Sequence, residues 1–395
     1  MSVTAAPAEA VTANGRYIVI SSDCHAGGSH AMYREYLEAR YHEQFDAWRE
    51  RYRNPFRDLS GNRRNKNWDH DLRISEQAAD GYVAEVIFPN TVPPFFPTGA
   101  LVAPLPGPED YELRQAGIRA HNRWLADWCA EHPERRAGIG QIFLNDVPTA
   151  IEDVQFVAAH GLRGGILLPN PPPDAKWLAP LYDPVYDPLW QACVDHDVIV
   201  NIHAGGGSPD YGNYPVAGVL WLLETSYFSR RPVAQLIMSG VFERFADLRL
   251  AVTEQGWGWV PETLATLDRF HAQMTGGGQV GELGFSADQV PPGKPSEYFR
   301  RNVWIGSGAS PDDVAADDGL LVERLMWGSD YPHAEGSFPH SRERMATSFA
   351  GLPREAAARV LGGNAAALYG FDLDRLAPYA AEAGPTVEEL AAAPA

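Results

Sequence analysis

Residues 17–25 read YIVISSDCH, an apolar run of strand length that closes on an aspartate and a histidine. A short, nearly continuous apolar run is what a parallel strand covered on both faces requires. Asp23 and His25 stand at i and i+2, so on a strand both project to one side. The pattern repeats outward along the chain, at 83–90 (VAEVIFPN), 137–144 (AGIGQIFL), 162–169 (LRGGILLP), 198–203 (VIVNIH), 248–254 (LRLAVTE), 303–307 (VWIGS) and 325–330 (LMWGSD). Helical patterns fill the gaps. Apolar residues recur at helical spacing over 111–132, which stops at Pro133, and over 149–160, which ends at Gly161. Further helices are expected over 187–196, 232–245 and 261–274. Eight strands alternating with helices predict an α/β fold, a (β/α)8 TIM barrel with long βα-loop insertions.

Three gaps exceed what a barrel needs: 30–82, the Pro-rich 91–108 with its PPFFP, and 276–301 with GGG and PPGKP. Long βα segments commonly form lids and substrate walls. The expected organisation is a flexible tail over 1–14, one barrel domain over 15–375 and a C-terminal tail over 376–395. With 395 residues, 45% of them apolar and 21% charged, the chain can bury a large core, which excludes disorder and a disulfide-stapled miniprotein. A net charge of −19 argues against nucleic acid or an anionic membrane as partner. Three cysteines, Cys24, Cys129 and Cys193, are too few for a disulfide framework and fit a reducing, cytoplasmic setting. No apolar run reaches membrane-spanning length, and the first residues lack a basic start and apolar h-region.

Polar side chains gather at the predicted C-terminal strand ends, the face where barrel active sites form. Asp23 and His25 close the first strand, His203 the fifth, Glu254 the sixth and Asp330 the eighth, with His333 three residues beyond. Imidazole and carboxylate are good ligands for divalent Zn, Fe and Mn. Any one of these residues alone reads as a hydrogen-bonded structural group. Together they predict a metal centre of Asp23, His25, His203, Glu254, Asp330 and His333, with room for one or two cations. Cys24 should point away from its neighbours and pack. His121 lies in a helical pattern and reads as a helix-face residue. Glu335 and His340 are weaker candidates.

The order DCH (23–25), NIHAG (201–205) and WGSDYPH (327–333) resembles the amidohydrolase superfamily, in the branch that includes acyclic and aromatic acid decarboxylases. The resemblance spans roughly 15–375. It implies metal ligation by Asp23, His25, His203 and Asp330. At the sixth strand the decarboxylases place a histidine as acid–base group, whereas this chain reads AVTEQGWGWVPE with Glu254. That departure removes the expected imidazole proton carrier and adds an anionic ligand. The carboxylate- and histidine-rich set is also similar to barrel-fold non-haem di-iron monooxygenases of the same superfamily, typified by the hydroxylase of platensimycin and platencin biosynthesis.

Two activities follow. In the first, preferred as the specific reading, two iron ions reduce O2 and hydroxylate a bulky apolar acid of secondary metabolism, with Glu254 and Asp330 in catalytic positions. An external electron donor is then a required partner, and the acid would be linked to coenzyme A. In the second, a metal-dependent hydrolase or non-oxidative decarboxylase acts on a small organic acid, with Asp330 as base. A barrel that binds without catalysis is a third reading, disfavoured because the ligand set is complete. For the substrate, the stretch 49–66 carries seven cations and two anions over the mouth of the barrel, and Arg63 and Arg64 suit an anionic handle. Phe95, Phe96 and Trp257 are expected to line an apolar pocket. Pro-rich loops and exposed aromatics are features that can build a homodimer contact.

Overall fold

A computed structural model describes residues 10–53, 65–97 and 103–391. Eight parallel strands follow one another in chain order: β1 (Ile20–Ala26), β2 (Ala84–Pro89), β3 (Arg136–Gln141), β4 (Gly165–Leu167), β5 (Val200–His203), β6 (Leu250–Thr253), β7 (Val303–Gly306) and β8 (Leu325–Met326). The circle closes where the segment after β8 meets β1. Ser22 N donates to the Trp327 carbonyl at 2.8 Å, Asp330 N to the Asp23 carbonyl at 2.7 Å, and His25 N to the Tyr331 carbonyl at 2.6 Å. The eighth apolar run, expected to 330, is regular only to Met326. Beyond it the chain turns back across the end of β1.

Helices cover the outside. Tyr111–Ala130, Val147–Ala159, Asp187–Asp195 and Val260–Gly277 lie where the apolar spacing predicts them. The helix expected over 232–245 instead runs from Ala217 to Met238 with Pro232 inside it, and a separate turn follows at Val241–Arg244. Its first half escapes the periodicity because its apolar residues face outward: Leu222 and Leu223 are 67% and 71% exposed. Gly165 opens β4 at φ +90°, and a Cβ there would stand 2.0 Å from the Ile199 carbonyl oxygen, so the Gly164–Gly165 pair lets β4 approach β5.

The insertion after β1 contributes helices His30–Tyr36, His42–Arg51 and His70–Asp80. The insertion after helix Val260–Gly277 holds a small antiparallel hairpin, Gln279–Val280 with Leu283–Gly284. The stretch expected as a C-terminal tail differs from that expectation. Through residue 391 it carries the helices Leu373–Ala383 and Val387–Ala391, with Leu376, Ala380 and Leu390 buried. Of the stretch expected as an N-terminal tail, residues 10–14 are described; Ala10 is buried and Val11 bridges to Tyr17. None of the described helices is long and apolar enough to cross a membrane.

Candidate metal centre

The site begins with a bulge. Ser21 pairs with Glu85 and Cys24 with Ile87, so β1 carries one residue more than β2 across that interval. Ser21 and Cys24 thereby share a side and both meet Ser329 Oγ, at 3.0 and 3.3 Å. Asp23 and His25 face the barrel end, each 2% exposed. Gly328 makes room for Asp23, because a Cβ at 328 would lie 2.6 Å from the Asp23 Cβ.

Three further strand ends converge on this pair. His203 is the last residue of β5, and its Nε2 lies 3.4 Å from Asp23 Oδ1. His25 Nε2 lies 3.3 Å from Asp23 Oδ1 and 3.1 Å from Asp330 Oδ1. Glu254 Oε2 is 3.5 Å from His203 Nδ1. Glu254 and Asp330 both hold the left-handed backbone region, at φ +59° and +58°. Such conformations are strained for residues with a Cβ and are concentrated at functional sites. Phe88 packs on the His203 ring at 4.6 Å and the His25 ring at 5.9 Å, and restricts both imidazoles.

His25 Nε2 is the informative atom. It is buried and has no hydrogen-bond partner, although two carboxylates stand near it. Ligands about 2.1 Å from one cation lie roughly 3.0 to 3.4 Å apart along octahedral or tetrahedral edges. The separations of 3.1, 3.3 and 3.4 Å among His25, Asp330, Asp23 and His203 match those edges. Two overlapping groups bring their ligand atoms within 4.8 Å of one another and could each hold a divalent cation: Asp23, His25 and His203, and His25, Asp330 and His333.

The charges of these groups depend on one another. Burial alone would raise the Asp23 carboxyl, but the nearby His203 and His25 imidazoles outweigh it and hold the group below its ordinary range. Burial likewise opposes charge on His25, yet Asp23 and Asp330 lift it to about 10. Asp330 is held well below the carboxylate range by His25 and His333 against the effect of burial. Glu254 moves the other way. Burial, with the like charges of Asp23 and Asp330, lifts it to about 7 while His203 opposes.

His333 brings a ligand nitrogen within 4.8 Å of the ligand atoms of His25 and Asp330. Its Nδ1 meets Asp330 Oδ1 at 2.8 Å, its Nε2 meets Asn90 Oδ1 at 3.1 Å, and its ring stacks on His25 with centroids 4.0 Å apart. Glu335, weaker in sequence, brings its carboxylate within 4.8 Å of Glu254 and Asp330. Arg73, which the sequence does not single out, donates from Nη1 to the His25 carbonyl at 2.8 Å and pairs with buried Glu85 of β2. Only an Arg aligned with an acidic strand residue could have hinted at it, and nothing in their spacing does so.

The expected substrate residues scatter. Phe96 lines a cavity of about 850 Å3 that reaches His203. Phe95 packs into a separate apolar cluster with Leu37, Tyr41 and Phe45. Trp257 is 3% exposed within the main core, so it is a packing residue and not a pocket wall; the turn after Glu254 drives it inward. Arg63 and Arg64 lie outside the described residues. A second cavity, of about 330 Å3, is lined by Asp23, Glu254, Asp330 and Glu335.

Residues 30–371 match the Amidohydrolase family. The chain belongs to that family. Among curated relatives, this amidohydrolase is 25% identical over 235 residues to gamma-resorcylate decarboxylase of Rhodococcus jostii, a match covering 54% of this chain and 65% of that protein's length. It therefore spans somewhat under two thirds of that relative. Solved structures share the fold. The 5-carboxyvanillate decarboxylase of Sphingomonas paucimobilis matches with TM-score 0.63 and 22% identity, covering 90% of this chain and 99% of that one. The 5-carboxyvanillate decarboxylase of Novosphingobium aromaticivorans, in complex with manganese and a nitrobenzoic acid, matches with TM-score 0.62 and 18% identity, covering 92% and 99%.

Proposed function

We propose that this amidohydrolase removes carbon dioxide from an organic acid without oxidation, at one divalent cation held by Asp23, His25, His203 and Asp330. The observation that carries the reading is the buried, unpartnered His25 Nε2 set between two carboxylates at ligand-edge distances. The decarboxylase names of the relatives support it over the oxidative reading preferred from sequence. The bound manganese of one neighbour supports a divalent cation, and nothing in the comparisons speaks for iron, an electron donor or a coenzyme A handle.

A divalent cation bound there supplies Lewis-acid charge that fixes an anionic substrate oxygen and steadies the charge built up as the carbon–carbon bond opens. The chain's own residues do the rest. The electron pair of the broken bond stays on the substrate carbon and is taken up by a proton from Glu254, whose carboxyl burial holds above its ordinary range. His333 orients Asp330 through the 2.8 Å contact and is held in turn by Asn90. Hydrolysis with Asp330 as base at a bound water uses the same one-cation site and differs in releasing no carbon dioxide.

One observation favours a second reading. The carboxylates of Glu254, Asp330 and Glu335 lie within 4.8 Å of one another beside the first cluster. A second cation there, with iron in both places, would suit a monooxygenase of a bulky acid, supplied by an external reductant. Elemental analysis of protein purified without added metal, with carbon dioxide release and oxygen uptake followed on the same sample, separates the readings. One equivalent of metal with anaerobic carbon dioxide release is expected. Two equivalents of iron with substrate-dependent oxygen consumption would overturn it.

A further inference from the structure

Helix Ala217–Met238 begins away from the body of the barrel. Among the described residues, none of those from 211 to 224 is buried, although the stretch is largely apolar. Val216, at the N-cap, is followed by Leu220, Leu223 and Tyr227 at spacings of four, three and four, all of them exposed. That alternation draws one seam along a helix, the spacing with which two helices pack side by side. Val219 and Leu222 flank the seam and are exposed too. At roughly 100° per residue, the seam lies about 130° round the helix from Ala217, Trp221 and Thr225. Those three face inward: Ala217 and Trp221 line the larger cavity, and Thr225 is buried. Helical turns with no buried side chain are marginal in water, because helices are held mainly by packing an apolar face. The outer face of this helix therefore lacks its cover.

We propose that two copies of this chain pair through this face about a two-fold axis, with the seam of one helix laid against the seam of the other. Area, symmetry and charge favour a second copy over another occupant. With Tyr214, the exposed apolar side chains of this face present roughly 800 Å2, more than the largest apolar patch usual on a monomer and about one side of a standard stable interface. A two-fold interface must be complementary to itself, which a neutral apolar patch satisfies without opposite charges. The chain carries −19 and repels its own copies over most of its surface. From 211 to 229, however, its one charged residue is Glu224, which accepts from the Tyr211 hydroxyl at 2.7 Å. The same net charge disfavours an anionic membrane as the cover. Pairing also acts inside the molecule. The inner side of this helix is a wall of the larger cavity, so the second copy holds that wall in place. The pairing is independent of which reaction the cavity serves.

Sedimentation equilibrium of the manganese-loaded protein at micromolar concentration should give twice the chain mass of 43.3 kDa. Leu223→Glu combined with Tyr227→Glu sets like charges on both seams and should weaken association at least about 100-fold. That variant should return the single-chain mass with circular dichroism and manganese content unchanged. Leu223→Glu alone is milder and serves where the combined variant does not fold. Leu283→Glu, at an exposed leucine of the separate hairpin, should keep the wild-type mass. In hydrogen exchange, amides over 217–223 should exchange faster once the wild type is diluted below its dissociation constant. A wild type of single-chain mass would overturn the pairing and give the face to another occupant. A dimer left intact by the folded seam variants, one that Leu283→Glu splits as well, or exchange over 217–223 that ignores dilution, would overturn its placement on this helix.

Discussion

Replacing Glu85 by glutamine changes one atom in a place where charge cannot be spared. Glu85 lies in β2 at 2% exposure and faces two guanidinium groups, pairing with Arg73 and standing 3.6 Å from Arg136, with Gln77 Nε2 donating to it at 2.6 Å. The two arginine side chains are themselves 0% and 1% exposed. In Glu85→Gln the two buried cations face each other without an anion, and removing one partner of a buried pair costs about 3–5 kcal/mol. Arg73→Met should cost less, nearer the lower end, because Glu85 keeps Arg136 and the buried charge falls to zero. That variant, however, strips the donor from the His25 carbonyl. Its manganese affinity should therefore fall about 10- to 100-fold, as when groups that orient metal ligands are lost. The assay is urea unfolding followed by tryptophan fluorescence, with a manganese titration of each folded variant. The Glu85 carboxyl is held below its ordinary 4.5 by the two arginines against the effect of burial. Its stabilisation is therefore present above about pH 4.5 and is lost on acidification, so the gap between wild type and Glu85→Gln should close at low pH. If Glu85→Gln proves the milder change, or the gap is independent of pH, the account of this network is wrong.

Glu254→Gln keeps the side chain's shape but cannot deliver a proton; carbon dioxide release should fall by about 10²- to 10⁴-fold with manganese content unchanged. Loss of a metal equivalent in that variant would instead mark Glu254 as a ligand. His203→Ala should leave manganese at background after dialysis, whereas His333→Ala should retain the metal with affinity weakened roughly 10- to 100-fold; metal analysis distinguishes the two. His121, 0% exposed and pushed by burial to about 3, stays neutral in the folded state while the unfolded chain takes up a proton near 6.5. The unfolded state thus binds more protons across that window and stability falls with pH, by about 2 kcal/mol between pH 7 and pH 5 from this group. Unfolding of His121→Gln at both pH values should show that part of the slope removed.

Asp23, His25, His203, Glu254 and Asp330 were legible because each ends an apolar run, and a barrel gathers its strand ends on one face whatever the loops do. The outer part of the site was not. Asn90 reaches His333 across 243 residues and Arg73 reaches His25 across 48, and no local pattern records such distances. Helix Ala217–Met238 was placed too short because its early apolar residues face outward and carry no amphipathic rhythm. The helices over 373–391 were missed for a related cause: an alanine- and glutamate-rich stretch reads as solvated until Leu376, Ala380 and Leu390 find the body of the barrel.

The order of short apolar runs and the residues that close them determined the barrel and the ligand types, since backbone pairing and side-chain alternation act over a few residues. Which imidazole nitrogen is set between two carboxylates, which histidine ring stacks on it and which arginine reaches the His25 carbonyl were decided only by the tertiary structure. Those properties depend on distances and desolvation between groups that the chain keeps far apart until it folds.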